Sequence, residues 1–154
     1  MLSGNQRATR TPYQDTSVPV ARSKDQISQA LRAAGAKGVQ YEEVWEPETR
    51  LVVRFLWQMG EQVVRVRLQA RTLPPKKGVR GAWRVSPEQR ERQAWRALAW
   101  YLKTMLEAAT FGLLRFEDVF LSFVEDGAGR TVGEHVIPML EAGALQLTDG
   151  SGDE

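Results

Sequence analysis

A chain of 154 residues holds one domain with a real core and would be a tight fit for two. It has no cysteine and a single histidine, His135, which excludes disulfide frameworks, thiolate metal sites, cysteine nucleophiles and multi-histidine centres, and suits a reducing cytosol. The net charge of +2 hides a split: residues 1 to 103 hold 19 Lys plus Arg against 9 Asp plus Glu, a net of +10, whereas residues 104 to 154 hold 2 against 10, a net of −8.

Residues 1 to 21 read as a flexible basic arm. Arg7 and Arg10 supply charge, Pro12 and Pro19 break helices, and the segment lacks the apolar centre of a signal peptide. Nowhere do about 18 apolar residues follow one another, so no membrane partner is expected and the expected location is the cytoplasm. A single α+β domain is expected over residues 22 to 147. It opens at Ser23 with a helix whose capping box is Ser23 and Gln26, whose stripe is Ile27, Ala30, Leu31 and Ala34, and whose stop is Gly35.

Three strands are predicted next. The first, Val39 to Glu46, alternates poorly at Glu42 and Glu43, as an edge or bulged strand does. The second sets Leu51, Val53, Phe55 and Trp57 against Arg50, Val52, Arg54 and Leu56. The third sets Val64, Val66, Leu68 and Ala70 against Val63, Arg65, Arg67 and Gln69. Short polar turns join them into an antiparallel meander, and register decides whether the arginines of neighbouring strands share a face.

From Arg71 the sequence RTLPPKKGVRGAWR carries Arg71, Lys76, Lys77, Arg80 and Arg84 with Trp83 among them and no acid. Its prolines and glycines oppose regular structure, and cations without counter-charge repel one another until an anionic partner arrives. An exposed indole there would stack on a base. Ser86-Pro87-Glu88-Gln89 then starts a long helix, with Ser as N-cap, Pro at the first position and Gln closing the box. Trp95, Leu98, Ala99, Leu102, Met105, Leu106 and Ala109 form its apolar stripe. A second face carries Arg92, Arg96, Trp100 and Lys103.

After Gly112, Leu113, Phe116, Val119, Phe120 and Phe123 predict a short buried helix. Thr131 with Glu134 caps a last one that Pro138 kinks or shortens and Gly143 ends, and residues 148 to 154 read as a disordered acidic tail. The expected fold is therefore α+β: a three-stranded antiparallel meander packed against helices in αβββα order, with a small C-terminal helical appendage. That order is similar to the double-stranded-RNA-binding domains and to the sheet-plus-helix unit of single-strand annealing proteins. SPEQRERQAW departs from the Lys-Lys-x-x-Lys helix start of the former, which counts against duplex RNA.

QAWRALAWYLKTMLEAATFGLLRFEDVFLSFV followed by GRTVGEHVIPMLEAG resembles a group of small phage and prophage proteins, as does SKDQISQALRAAGA near the start. Those proteins have an RWRAL…IKAKLEA helix, a FEEEF-like segment and a TVGEWLxP-type ending. The likeness spans roughly residues 17 to 147, with His135 where an aromatic residue is commoner. It implies a phage gene product acting in the bacterial host cytoplasm, and it transfers no catalytic residue.

No constellation for catalysis stands out. His135 is alone, Glu117-Asp118 and Glu125-Asp126 each point two ways, Glu42, Glu43, Glu46 and Glu48 scatter, and GVRGAWR lacks a phosphate-loop ending. No enzyme, cofactor or metal is expected. The expectation is a nucleic-acid-binding protein acting through Arg71, Lys76, Lys77, Arg80, Trp83, Arg84, Arg92, Arg96, Trp100 and Lys103 on single strands or DNA backbone. The alternative is a regulator that captures a host protein through the acidic part of the chain.

Overall fold

The computed structural model describes residues 11–74 and 85–145. The predicted cations of the arm and the acidic tail, with Lys76, Lys77, Arg80, Trp83 and Arg84, lie outside the described residues. Helix α1 (Val20–Ala34) leads to strands β1 (Gly38–Val44), β2 (Arg50–Met59) and β3 (Gln62–Arg71), then to helix α2 (Pro87–Thr110). A short α3 (Phe116–Phe120) continues as a 3-10 turn (Leu121–Phe123), and α4 (Val132–Glu141) closes the described chain. The α+β class and the αβββα order are as the sequence predicts.

The sheet runs β1-β2-β3, antiparallel throughout, with Val53 opposite Tyr41 on one side and Leu68 on the other. Gly60, at φ 60, takes the first place of a two-residue hairpin loop between Met59 and Gln62, a position that favours glycine. Leu51, Val53 and Phe55 from β2 and Val66 and Leu68 from β3 form the sheet's share of the core. Against them pack Ile27 and Leu31 of α1 and Trp95, Leu98, Ala99, Leu102 and Leu106 of α2.

Helix α1 starts three residues before the predicted Ser23, with Pro19 as its N-cap. Ser23 is fully buried, because the apolar spacing runs back through it from Ile27 to Val20, which also packs on the core. It sits on the stripe rather than at the cap. Gly35, at φ 96, ends the helix as expected: Ala36 N–H reaches Leu31 O at 2.9 Å. Tyr41 then pins β1 to α1, donating to Lys24 O at 2.8 Å while Ser28 Oγ lies at 2.6 Å. Burial raises the Tyr41 pKa, so the phenol keeps the proton it donates.

Helix α3 is part of the core. Phe116 stacks on Trp57 with centroids 3.8 Å apart, and Phe120, fully buried, meets Phe55 edge-on at 5.8 Å. Val124 then bridges Val66 at the free edge of β3, and Glu125 N–H donates to Arg65 O at 2.8 Å. Thr131 and Glu134 form the predicted capping box of α4, and Gly143 follows its end at φ 69. Pro138 lies inside α4, which continues to Glu141.

Candidate nucleic-acid interface

Ser86 caps α2 as predicted, its Oγ accepting from Gln89 N–H at 3.1 Å. The Gln89 side chain does not close the box. Its amide donates instead to Gln14 O at 3.1 Å and Thr16 O at 2.8 Å, and its carbonyl receives Arg92 through Nη2 at 2.6 Å and Nε at 3.0 Å. One turn on, Gln93, nearly buried, donates to Pro12 O at 2.7 Å and Thr11 Oγ1 at 2.9 Å. Residues 11–18 thus lie as a strap along α2, a non-local contact that the periodicity of α2 alone does not announce.

The predicted cationic face of α2 is formed. Arg96 donates to Gln26 of α1, and its guanidinium lies 5.5 Å from the Trp100 ring. Lys103 Nζ lies 5.8 Å from the same ring and 3.9 Å from Glu107. Trp100 is 43% exposed between the two cations, an aromatic face held in a positive field. The acceptors of Arg92 and Arg96 are neutral amides, so those bonds orient the guanidinium groups without neutralising them.

Strap and helix together bound two adjoining clefts. One, of about 530 Å³, lies between Gln14, Thr16 and Ser17 of the strap and Gln89 and Arg92 of α2. The other, of about 520 Å³, is lined by Thr11, Tyr13, Gln14 and Thr16 on one side and Arg96 and Trp100 on the other. Asp15 lines both.

The sheet face turned away from the helices has a different character. The register places Arg54 opposite Arg67, Leu56 opposite Arg65 and Arg50 opposite Arg71, so these arginines do share one face. Carboxylates answer Arg54, Arg65 and Arg67. Glu125, whose side chain is 3% exposed, receives Arg54 Nε at 3.1 Å, with Arg67 Nε at 3.5 Å and Arg65 Nη1 at 3.9 Å. Glu42 takes a second donor of Arg54, and Glu134 binds Arg67 at 2.5 Å. Val52, on the same face, is 4% exposed, so the charged side chains close over it.

Arg71 ends β3 on this open face, across the sheet from α2, and so stands apart from the row of Arg92, Arg96, Trp100 and Lys103. Glu125 and Asp126 point two ways as the sequence suggests: Asp126 Oδ2 pairs with His135 Nε2 at 2.6 Å. That bond, with the Arg130 and Ala128 N–H groups, holds the Asp126 carboxyl down at about 2. Glu134 is also lowered, first by the Thr131 N–H. Among the described residues no group of His, Asp and Glu side chains could hold a metal ion, and no helix is long and apolar enough to cross a membrane.

Comparison with protein-family models, curated proteins and solved structures finds no match. The functional reading therefore stands on the chain's own chemistry.

Proposed function

We propose that this chain is a phage-encoded, non-catalytic nucleic-acid-binding protein that engages single strands or the DNA backbone during replication, recombination or expression in the bacterial cytoplasm. The phage assignment rests on the sequence resemblance. The binding assignment rests on one observation: Arg96 and Lys103 flank the exposed Trp100 on α2, with Arg92 one turn before Arg96, and the two arginines of this row bond only neutral amides among the described residues, whereas Arg54, Arg65 and Arg67 of the sheet face are matched by Glu42, Glu125 and Glu134. The cation-rich segment 71 to 84 immediately precedes this helix in the sequence and belongs to the same strongly basic part of the chain.

Binding to labelled single- and double-stranded oligonucleotides across a salt series tests it. Affinity should fall with a log-log slope of about −0.7 per contacted phosphate on single strands and about −0.9 on duplex. Replacing Arg92, Arg96 and Lys103 together by Ala should flatten the slope by about 2 to 3. Absence of binding at about 50 mM salt would overturn the reading.

A second reading, a regulator of a host protein, is favoured by the apolar exposure of the acidic part. Ile137, Met139 and Leu140 of α4 are 53%, 44% and 41% exposed, and Phe111 and Leu113 are 81% and 80% exposed. A stoichiometric protein partner that survives nuclease treatment of a bacterial lysate, from a chain that ignores oligonucleotides, would select this reading.

A further inference from the structure

Resting on the nucleic-acid reading, we infer that the cleft between the strap and α2 receives an unpaired base of a single strand, with Tyr13 and Trp100 as its aromatic walls. Both rings line this cleft, at 37% and 43% exposure, and Arg96, its guanidinium 5.5 Å from the Trp100 ring, lines it too. Aromatic side chains left accessible beside a guanidinium are the combination on which bases stack in single-strand binders.

The strap's backbone is arranged at a cost to place Tyr13 there. Tyr13 has φ 60, the left-handed region that a bulky side chain avoids. A tight turn holds it, with Thr16 N–H on Tyr13 O at 3.1 Å and Gln14 N–H on Thr11 O at 3.3 Å, while Gln93 grips Pro12 O just before it. Strain of this kind persists where surrounding contacts over-determine it, and it is common at ligand clamps.

Size and neighbourhood suit the same occupant. The cleft, about 520 Å³ and open to solvent, leaves both rings within reach of a strand lying along α2. The adjoining cleft, which shares Gln14, Asp15, Thr16 and Ser17, carries Arg92 one helical turn from Arg96, so a phosphate chain can run along these two guanidinium groups, on the α2 side opposite Asp15 of the strap, while one base turns inward. A paired base, stacked within a duplex, does not reach such a side cleft. The site thus selects single strands over duplex by access to the base and not by charge.

The test compares three probes in a fluorescence anisotropy assay: a labelled oligothymidine, an abasic strand of equal length, and a duplex. Expected are a loss of about 5- to 100-fold on oligothymidine for Trp100→Ala and for Tyr13→Gly, an unchanged salt slope, and wild-type binding to the abasic strand weaker by a similar factor. Glycine adopts φ 60 freely, so Tyr13→Gly keeps the strap's path while removing the ring. Trp100→Phe, which keeps a ring, should retain most of the affinity, and Trp100→Leu, which keeps apolar volume without one, should not. Equal wild-type binding to oligothymidine and the abasic strand, with loss only in the Arg92, Arg96 and Lys103 triple variant, would overturn the base cleft and leave the nucleic-acid reading intact. No binding to any probe at about 50 mM salt would overturn that reading itself.

Discussion

Glu125 shows how far one side chain can set the character of a surface. It lies almost buried among Arg54, Arg65 and Arg67, and removing it leaves three arginines with only Glu42 and Glu134 to offset them among the described residues. Glu125→Gln should lower stability by about 2 to 3 kcal/mol in a urea melt, whereas Glu42→Gln, on the more exposed side of Arg54, should cost under about 1 kcal/mol. Asp126 gives a pH prediction at the same scale. Its carboxyl titrates at about 2 in the folded chain against an ordinary value of 3.8, so its contribution is complete above that ordinary value and is lost as the pH falls through the folded one. In Asp126→Asn the acid limb of the stability curve should flatten across that window, and carboxyl NMR should show the low-titrating resonance gone. Trp95 supplies a contrast: fully buried, with an indole Nε1 that has no hydrogen-bond partner among the described residues. Trp95→Phe should cost under about 2 kcal/mol, because relief of the unpaired donor offsets part of the lost area, whereas Trp95→Ala should cost about 3 to 5 kcal/mol.

At the scale of elements, the two capped helices differ in how much depends on their starts. Helix α2 runs for 24 residues and buries Trp95, Leu98, Leu102 and Leu106, so Ser86→Ala should cost only the cap, about 1 kcal/mol. Helix α4 has 10 residues and seats on the 3-10 turn through Gly133, where an added Cβ would lie 3.0 Å from Ser122 O. Gly133→Ala should therefore push α4 outward and loosen the Glu134 to Arg67 bond, read as lost amide protection over residues 132 to 141. These elements were legible because their signals are local. Ser86-Pro87, Thr131 with Glu134, Gly35 and Gly143 each fix a boundary within four residues of sequence. The strand alternation likewise sorted the core face from the arginine face. The start of α1 was misjudged for a local reason too: a serine that can cap a helix also fits a tightly packed position on its stripe, and burial decided between them. What local signals do not carry is approach across distance. Glu125 meets Arg54 from 71 residues away, and Gln93 meets Pro12 from 81. Nothing in either neighbourhood specifies the other, which is why the strap and its Tyr13 cannot be read from the sequence, whereas the 4, 4 and 3 spacing of Arg92, Arg96, Trp100 and Lys103 is local to one helix.

For the whole molecule, the charge split takes on a definite form. Part of the acidic C-terminal region folds back on the basic N-terminal one through Glu125 and Glu134, which leaves the helical layer with the cations best placed for a ligand. The same region supplies Phe116 and Phe120 to the core. A chain cut after Gly112 would uncover Phe55 and Trp57, and should give no cooperative thermal transition; a folded, soluble truncation would show that the first five elements suffice alone. The manner in which the strap is fastened bears on how any ligand is held. Among the described residues, the hydrogen bonds that tie it to α2 come from the amides of Gln89 and Gln93 to main-chain carbonyls and a hydroxyl, which are neutral groups. Ionic strength screens charges and leaves such bonds nearly untouched. These four bonds should therefore persist from dilute buffer to molar salt, so adding salt empties the receptacle without releasing the grip of Gln89 and Gln93 on the strap.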